Sequence, residues 1–253
     1  MFKKAIVRIP SESMVHGITT AQLGNPDYQK AIHQHERYIE ALLTCGLEVI
    51  TLEADEAFPD STFVEDVALC TPHCAIITRP GAESRRGEIE EMKAVLSDEY
   101  NHIEEINSPA TLEAGDIMMV GSHYYIGLSA RTNMEGAQQM IAILEKYGMT
   151  GSTVKLEEVL HLKTGLAYLE QNNLVACGEF LSKTEFEKYH IIEITEEDAY
   201  SANCIWVNDR VIIPKGFSST KMKIENAGYK TIELDMSEFQ KLDGGLSCLS
   251  LRF

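Results

Sequence analysis

The last residues of the chain place a cysteine where it could act as a nucleophile. Cys248 ends the run Asp243-Gly-Gly-Leu-Ser-Cys248, in which two consecutive glycines precede it. A thiolate is a strong nucleophile, and a tight glycine turn lets a substrate approach the backbone closely. Since a single cysteine in an apolar stretch is more often a packing residue, both interpretations of Cys248 stay open at this point.

Two other segments hold the partners that such a nucleophile would need. His161 follows two apolar residues, and Glu113 precedes Gly115 and Asp116. A histidine with apolar neighbours is more often a core residue than a catalyst. If Cys248, His161 and Glu113 converge, they would form a nucleophile, an acid/base and a carboxylate that orients it. Their spacing does not decide this, because such groups assemble in space from distant segments.

An acidic segment next to Pro59 could recognise a cation. Asp60, Glu65 and Asp66 place three carboxylates within seven residues. They form either a solvated acidic loop or a binding site. Paired carboxylates match the planar fork of N–H donors on a guanidinium group, and Phe63 could cover such a cation with its ring face. The segment is therefore a candidate guanidinium site.

Arg85 and Arg131 are basic residues in an acidic chain. Most such arginines are surface residues, but either one could bind a substrate carboxylate through charged hydrogen bonds. A site with carboxylates at one end and arginines at the other would fit a zwitterion with a cationic side chain, such as arginine.

Metal and nucleotide sites are not indicated by the sequence. Cys70, His73 and Cys74 have no second Cys/His pair at zinc spacing. His33 and His35 are two residues apart, so their rings would point to different faces of a helix. No glycine-rich phosphate loop is present. We therefore expect neither a metal nor an organic cofactor.

The composition indicates an ordinary soluble protein with an acidic surface. The 253 residues are 44% hydrophobic and 24% charged, and 22 Lys and Arg against 39 Asp and Glu give a net charge of −17. Such a surface disfavours nucleic acid and anionic membranes as partners. No segment approaches the roughly 18 continuous apolar residues of a membrane span. We expect a cytoplasmic protein whose six cysteines are reduced.

Short strands alternate with helices along the chain, which indicates an α/β or α+β fold. No linker divides the sequence, so we expect a single catalytic domain over residues 1–253. Hydrophobic periodicity predicts helices over 27–45, 88–96, 133–147 and 219–227. It predicts strands over 4–9, 47–52, 74–78, 124–127, 174–176, 191–194, 205–207, 211–213 and 231–234.

Together these segments resemble the dimethylarginine dimethylaminohydrolases of bacterial type, over essentially the whole chain. The resemblance rests on Ile77-Thr-Arg-Pro-Gly-Ala-Glu-Ser-Arg-Arg-Gly87, His161-Leu-Lys-Thr164, Asn203-Cys-Ile-Trp-Val-Asn208 and Asp243-Gly-Gly-Leu-Ser-Cys248. It implies an α+β fold, an α/β propeller with a five-fold pseudosymmetric array of ββαβ units around a central active site. Arginine deiminases and amidinotransferases share this fold.

The resemblance also implies the roles of individual residues. It implies Cys248 as the nucleophile, His161 as the proton donor and Glu113 as the carboxylate partner of His161. The remaining residues would bind the substrate. Glu65 and Asp66 would bind its guanidinium, and Arg85 and Arg131 would bind its carboxylate. Asp60 would bind its amino group together with backbone carbonyls near Ile18 and Leu242, and Phe63 and Asp243 would line the same site.

The implied reaction is hydrolysis of Nω,Nω-dimethyl-L-arginine, and of the monomethyl compound, to L-citrulline and the methylated amine through a covalent thiouronium on Cys248. It requires no metal and no organic cofactor. The expected partner is a small cationic amino acid, a methylated arginine, and a homodimer is compatible with the resemblance. An arginine deiminase, an amidinotransferase and a non-catalytic binder of cationic amino acids are the alternatives.

Overall fold

The computed structural model describes residues 1–253 and contains five sheets of three strands each. The strands are β1 (Lys4–Arg8), β2 (Glu48–Leu52), β3 (Ala68–Cys70), β4 (Ala75–Ile77), β5 (Ile103–Glu105), β6 (Ile117–Val120), β7 (His123–Leu128), β8 (Thr150–Lys155), β9 (Leu166–Tyr168), β10 (Asn173–Ala176), β11 (His190–Glu193), β12 (Ile205–Val207), β13 (Arg210–Pro214), β14 (Lys230–Leu234) and β15 (Leu251–Arg252). The α-helices are α1 (Tyr28–Thr44), α2 (Ile89–Glu99), α3 (Met134–Lys146), α4 (Ser218–Asn226) and α5 (Ser237–Gln240).

The five sheets repeat one topology. In each sheet the central strand pairs antiparallel with one neighbour and parallel with the other, as β4 does with β3 and β5. The first sheet is completed by the end of the chain, because β15 pairs antiparallel with β1 and places Arg252 opposite Ala5. The last strand therefore closes the ring of five units.

Parallel neighbours need a crossover connection, and four of the five units use an α-helix for it. Helices α1, α2, α3 and α4 connect the parallel strands of their sheets. In the fourth unit two 3₁₀ helices, Gly178–Ser182 and Thr184–Phe186, replace the α-helix between β10 and β11. The predicted α+β propeller is confirmed, with this departure from the ββαβ pattern in one unit.

Helix α1 shows why the local sequence folds as predicted. The side chain of Asp27 caps its start by accepting a hydrogen bond from the Lys30 amide at 3.0 Å. Its apolar face buries Ala31, Tyr38 and Leu42 in the largest hydrophobic cluster of the molecule. None of the helices is both long and apolar enough to cross a membrane. All six cysteines are free thiols.

In every sheet the strand that pairs antiparallel with the central strand lines the centre of the ring. A central cavity is lined by residues of β3, β6, β9, β12 and β15. Before each of these strands the chain makes a short 3₁₀ helix: Val64–Val67, Ala114–Asp116, Leu162–Thr164, Glu196–Ala202 and Ser247–Leu249. Four of these five segments carry or adjoin half of the predicted site residues, so the repeated topology brings these residues together: Phe63, Glu65, Asp66, Glu113, His161 and Cys248.

Candidate active site

A second cavity at the centre of the ring collects nearly all of the predicted site residues. Its lining comprises Ile18, Thr20, Asp60, Phe63, Asp66, Arg85, Glu113, Arg131, Leu160, His161, Leu242, Asp243, Gly244 and Cys248. Of the predicted site residues only Glu65 is absent from this lining; it borders the central cavity, and its charge acts on Cys248. Residues that are up to about 230 positions apart in sequence thus meet in one place.

The turn before Cys248 needs both of its glycines. A Cβ atom at Gly244 would collide with the ring of Phe63, and one at Gly245 would collide with the amide of Asn203. The amide of Gly245 lies 3.4 Å from the Cys248 sulfur and donates towards it. The glycines therefore let the turn pack closely enough to place the sulfur at the cavity.

Two side chains of the fifth unit hold this turn in place. Asn203 accepts a hydrogen bond from the Ser247 amide at 2.9 Å and donates one to the Ser247 hydroxyl at 3.2 Å. The Tyr200 hydroxyl donates to the Gly244 carbonyl at 2.9 Å. Neither residue was singled out for a role from the sequence, although Asn203 opens one of the segments that carry the family resemblance.

His161 is fixed by a buried carboxylate. Its Nε2 lies 2.8 Å from Glu113 Oε2, and Glu113 is only 1% exposed. The other Glu113 oxygen accepts a hydrogen bond from the Ala82 amide at 3.1 Å and lies 3.4 Å from Arg131 Nη1. Because Glu113 occupies Nε2, the Nδ1 atom of His161 is the ring nitrogen left for a substrate.

Asp116 positions the segment that follows His161. Its carboxylate accepts hydrogen bonds from the Leu162 amide at 3.0 Å and from the Ser129 hydroxyl at 2.7 Å. A side chain at Gly115 would meet both Asp66 and the ring of His161. The Gly115-Asp116 pair therefore matters for packing and alignment rather than for contact with a substrate.

The carboxylates around His161 favour its charged form. Burial alone lowers the pKa of His161, but the charges of Asp66, Asp116 and Glu113 and the hydrogen bond with Glu113 outweigh it and raise that pKa to about 9. Burial likewise raises the pKa of Glu113, yet its contact with His161 dominates and holds that pKa below the ordinary value. At neutral pH the site therefore contains an imidazolium and a carboxylate.

Negative charge also surrounds Cys248, where it favours the neutral form of the side chain instead of the charged one. Burial, followed by the charges of Glu65 and Asp66, raises the pKa of the Cys248 thiol to about 12. A thiol in this setting carries its proton at neutral pH. A cation placed against Glu65 and Asp66 would remove most of the electrostatic part of that effect.

Arg85 is almost completely engaged by protein groups. Its guanidinium pairs with Asp66 at 2.5 Å and with both oxygens of Glu88 at 3.0 and 2.8 Å, and it donates to the Phe63 carbonyl at 2.9 Å. Removal of one partner from a buried ion pair of this kind strongly destabilises the folded protein. Arg85 lines the cavity, but its main contacts fix the acidic segment from 60 to 66.

Arg131 is more exposed than Arg85 and has fewer contacts with other protein groups. Its side chain is 19% exposed, and its one charged contact is the 3.4 Å approach to Glu113. It therefore has N–H donors left for a ligand. Of the two predicted carboxylate-binding residues, Arg131 has the geometry that suits direct contact with a substrate, whereas a substrate contact of Arg85 stays a prediction.

The mouth of the cavity is formed by two segments held together by aspartates. The amide of Ile18 donates to Asp60 at 2.9 Å. Asp243 accepts from the amide and the hydroxyl of Thr20 at 2.5 and 2.9 Å. Ile18 itself is 40% exposed. The structure thus brings the predicted residues Ile18, Leu242 and Asp243 to the entrance, where they can cover a ligand.

Asp66, Glu113 and His161 have their potential ligand atoms within 4.8 Å of one another, which is close enough to hold a metal ion. These atoms already have partners, however. Asp66 accepts from the Gly115 amide at 3.1 Å and from Arg85, and Glu113 binds His161. The positive charge of Arg85 beside Asp66 makes the cluster a poor match for a divalent cation.

Two cations near the floor of the site also escaped sequence analysis. Lys163 lies 2.5 Å from Glu65 Oε1, and Arg252 lies 3.7 Å from the same oxygen. Lys163 belongs to the His161-Leu-Lys-Thr164 segment, which offered a signal. Arg252 offered none, because its place beside Glu65 depends on the pairing of β15 with β1.

Comparison with known proteins supports the resemblance seen in the sequence. The family model for N,N dimethylarginine dimethylhydrolase of eukaryotic type matches residues 21–249. The N(G),N(G)-dimethylarginine dimethylaminohydrolase of Pseudomonas aeruginosa is 62% identical over 254 residues and is covered in full, as is this chain.

Two solved structures have the same fold along their whole length. One is DDAH from Pseudomonas aeruginosa, a cysteine-to-serine variant in complex with citrulline, with a TM-score of 0.99 and 61% identity. The other is a dimethylarginine dimethylaminohydrolase histidine-to-glycine variant in an adduct with S-methyl-L-thiocitrulline, again with a TM-score of 0.99 and 61% identity. Both cover all of this chain and are covered by it in full. These matches confirm the predicted fold and the predicted enzyme class, a hydrolase acting on carbon–nitrogen bonds. The chain belongs to the dimethylarginine dimethylaminohydrolase family.

Proposed function

We propose that this chain hydrolyses Nω,Nω-dimethyl-L-arginine to L-citrulline and dimethylamine, with Cys248 as the nucleophile and His161 as the acid and base. The observation that carries the proposal is the convergence of Cys248, the His161–Glu113 pair and Asp66 on one cavity. The related Pseudomonas structure in complex with citrulline supports the nature of the product. The monomethyl compound would react in the same way and release methylamine.

The first half-reaction forms a bond between the Cys248 sulfur and the central guanidinium carbon. Binding of the cationic substrate offsets the negative field of Glu65 and Asp66, so the thiol releases its proton to solvent and the sulfur attacks as the thiolate. His161 is protonated at neutral pH and gives its proton to the departing nitrogen. The carbon–nitrogen bond breaks, dimethylamine leaves, and a thiouronium remains on Cys248.

The second half-reaction returns the enzyme to its starting state. His161, now neutral, accepts a proton from a water molecule that attacks the thiouronium carbon. The carbon–sulfur bond then breaks and its electron pair returns to Cys248, which takes up the remaining proton of the new hydroxyl group as that group becomes the ureido carbonyl of citrulline. Glu113 keeps the ring of His161 oriented through both steps and stabilises its charged form.

The rest of the cavity supplies recognition of a zwitterion with a cationic side chain. Glu65 and Asp66 provide negative charge for the guanidinium, and Asp60 lies near the entrance for the amino group. Arg131 has free donors for the carboxylate. Action on methylated arginines, a cytoplasmic location and assembly as a homodimer are all part of the proposal.

The test is the identity of the products. The purified chain is incubated separately with dimethylarginine, monomethylarginine and arginine, and amines and amino acids are identified by mass spectrometry. We expect citrulline together with dimethylamine from the first substrate. Ammonia from arginine as the preferred reaction would indicate a deiminase, transfer to an added amine would indicate an amidinotransferase, and binding without turnover would indicate a binding protein.

A matched cysteine variant controls for general effects of thiol removal. Cys70 is a half-buried thiol, like Cys248, but it borders the other cavity. Cys70→Ser should therefore retain citrulline formation under conditions where Cys248→Ser shows none. Equal activity of the two variants would contradict the assignment of the nucleophile.

A further inference from the structure

Of the two adjacent carboxylates, Glu65 has the unused oxygen. Both oxygens of Asp66 have protein partners, the Gly115 amide at 3.1 Å and Arg85 at 2.5 Å. Glu65 Oε1 contacts Lys163, whereas Glu65 Oε2 is buried without any hydrogen-bond partner. A buried carboxylate oxygen without a donor is costly unless a ligand satisfies it. Glu65 Oε2 is thus the best available acceptor for a guanidinium N–H.

Lys163 and Arg252 hold the opposite oxygen of this carboxylate. Lys163 Nζ lies 2.5 Å and Arg252 Nη2 lies 3.7 Å from Oε1, and both side chains are mostly buried. Arg252 is anchored in turn by the Ser250 hydroxyl at 2.7 Å. Both cations contact Oε1, so Oε2 is the oxygen that they leave without a partner. They therefore select the orientation in which Glu65 can serve a ligand.

Charge is the second consequence of these contacts. Glu65 is only 4% exposed, and an isolated carboxylate at that depth would take up a proton. Burial raises the pKa of Glu65, and Lys163 and Arg252 oppose that rise. The other titratable groups that act on Glu65, or on which it acts, are Asp66 of the same segment, Cys248 of the nucleophile turn and Tyr38 of α1.

The two cations come from the segments that carry the catalytic residues. Lys163 follows His161 by two positions, and Arg252 follows Cys248 by four. We propose that Lys163 and Arg252 are positioning residues that keep Glu65 ionised and oriented, so that its free oxygen completes the guanidinium site next to Cys248. This inference rests on the proposed function and assigns to the floor of the site a specific part in substrate binding.

Replacement of Lys163 tests the inference through its pH dependence. In Lys163→Met, Glu65 should be protonated at neutral pH and bind the substrate cation poorly. We expect KM for dimethylarginine to rise about tenfold or more at pH 7, with a smaller change in kcat. Higher pH should restore binding, since it ionises Glu65 again, so the lower limb of the kcat/KM profile should move to higher pH. Lys163→Arg should restore the parent profile.

Two further variants separate this effect from general damage. Lys183 forms an ion pair with Glu179 at 2.8 Å with nearly the same burial, 15% and 7% exposed against 16% and 5% for Lys163 and Glu65. Lys183→Met should leave KM and the pH profile unchanged. Arg252→Gln should shift the profile in the same direction as Lys163→Met but by less, because its contact is longer.

A double-mutant cycle gives the decisive comparison. If Lys163 acts through Glu65, adding Lys163→Met to Glu65→Gln should cause no further rise in KM. A full additional loss in the double variant, or an unshifted pH profile in both Lys163→Met and Arg252→Gln, would overturn the inference. Absence of citrulline formation by the parent protein would instead refute the proposed function, so the two failures are distinguishable.

Discussion

The turn that ends at Cys248 and the segment that begins at His161 share one acidic neighbour, Asp66, and the negative charge around them has opposite consequences for the two side chains. The pKa of the Cys248 thiol is raised to about 12, and that of His161 is raised to about 9. For the thiol a raised pKa means loss of reactivity, whereas for the imidazole it means that the acid form is ready at neutral pH. In the proposed mechanism, this negative charge keeps the Cys248 thiol protonated and the His161 imidazole charged until a cationic substrate binds.

The charges around Cys248 also distinguish this site from a thiolate–imidazolium pair. In such a pair, the histidine charge would lower the thiol pKa. Here the charge of His161 is balanced by Glu113, at 2.8 Å, and by Asp116. The acidic segment with Glu65 and Asp66 then dominates at the sulfur. In the proposed mechanism the substrate, rather than His161, supplies the positive charge that activates Cys248.

The largest effect should follow from removal of the nucleophile. Cys248→Ser should reduce citrulline formation by roughly 10⁴-fold or more, as is typical when a nucleophile is removed. Binding should persist, because the carboxylates and Arg131 are untouched. Steady-state kinetics and calorimetric titration with dimethylarginine would measure the two quantities. Turnover comparable to that of the parent protein would remove Cys248 from the mechanism.

Removal of His161, the proposed acid and base, should trap the covalent intermediate on Cys248. In His161→Gly no group remains to protonate the amine or to activate water, so a substrate with a strongly activated leaving group should react once and stay bound. Intact-protein mass spectrometry should show the added mass on Cys248. Hydrolysis of this adduct at the parent rate would show that another residue acts as the base.

Replacement of the two arginines that line the cavity should affect different quantities, substrate binding for Arg131 and folding stability for Arg85. Arg131→Ala should weaken dimethylarginine binding by about 1.5–3 kcal/mol, since one charged hydrogen bond to the substrate is lost. Binding of methylguanidine, which has no carboxylate, should be unchanged. Arg85→Ala leaves Asp66 and Glu88 without their partner and should lower the free energy of unfolding by about 3–5 kcal/mol. Thermal unfolding of both variants tests the distinction, and equal losses of stability would abolish it.

The resting thiol should react selectively with cationic reagents. We expect 2-chloroacetamidine to inactivate the enzyme much faster than neutral chloroacetamide, after both rates are divided by those for a free thiol. Absorbance near 240 nm, which reports thiolate, should increase when a non-reacting cationic ligand binds. A thiolate already present in the empty enzyme at neutral pH, without any preference for the cation, would contradict activation by the substrate.

The smallest expected effect concerns stability and lies outside the site. His35 is buried, and burial lowers its pKa to about 4, whereas the unfolded chain should have the ordinary value of 6.5. The folded state therefore excludes a proton that the unfolded state binds, so stability is lost as pH falls from about 6.5 towards 4. Denaturant titrations of His35→Leu should show a weaker decline over this range. Exposed His33, on the same helix, is the control, and His33→Gln should behave like the parent.

The sequence predicted those parts of the fold that depend on local pattern. Helical periodicity located α1 to α4, and apolar runs located the central strands, including β1, β7 and β13. It missed β3, β5, β6, β9 and β15, because strands of two to four residues carry too little pattern to be recognised reliably. It also missed the six-residue β8, because most of its residues are small or polar. Their existence depends on pairing within each sheet and on their place around the ring.

The sequence also predicted only part of the candidate site. It predicted which chemical groups the site contains: a cysteine after two glycines, a histidine, and carboxylates suited to a guanidinium. The resemblance to a family then gave each residue a role. What the residues contact was not legible, since Arg85 pairs with Asp66 and Glu88, and Asn203 fixes the nucleophile turn.

The sequence by itself determined which groups are present and which local segments hold them, because residue type, turn propensity and helical period are properties of neighbouring positions. Only the tertiary structure decided which charges face one another. Closure of the ring by β15 brings Arg252 to Glu65. The packing of the short 3₁₀ helices at the centre of the ring brings Cys248 to the cavity that His161 also lines. Burial and charge act through space, so the protonation of the thiol and of the imidazole is a property of the assembled ring rather than of any segment.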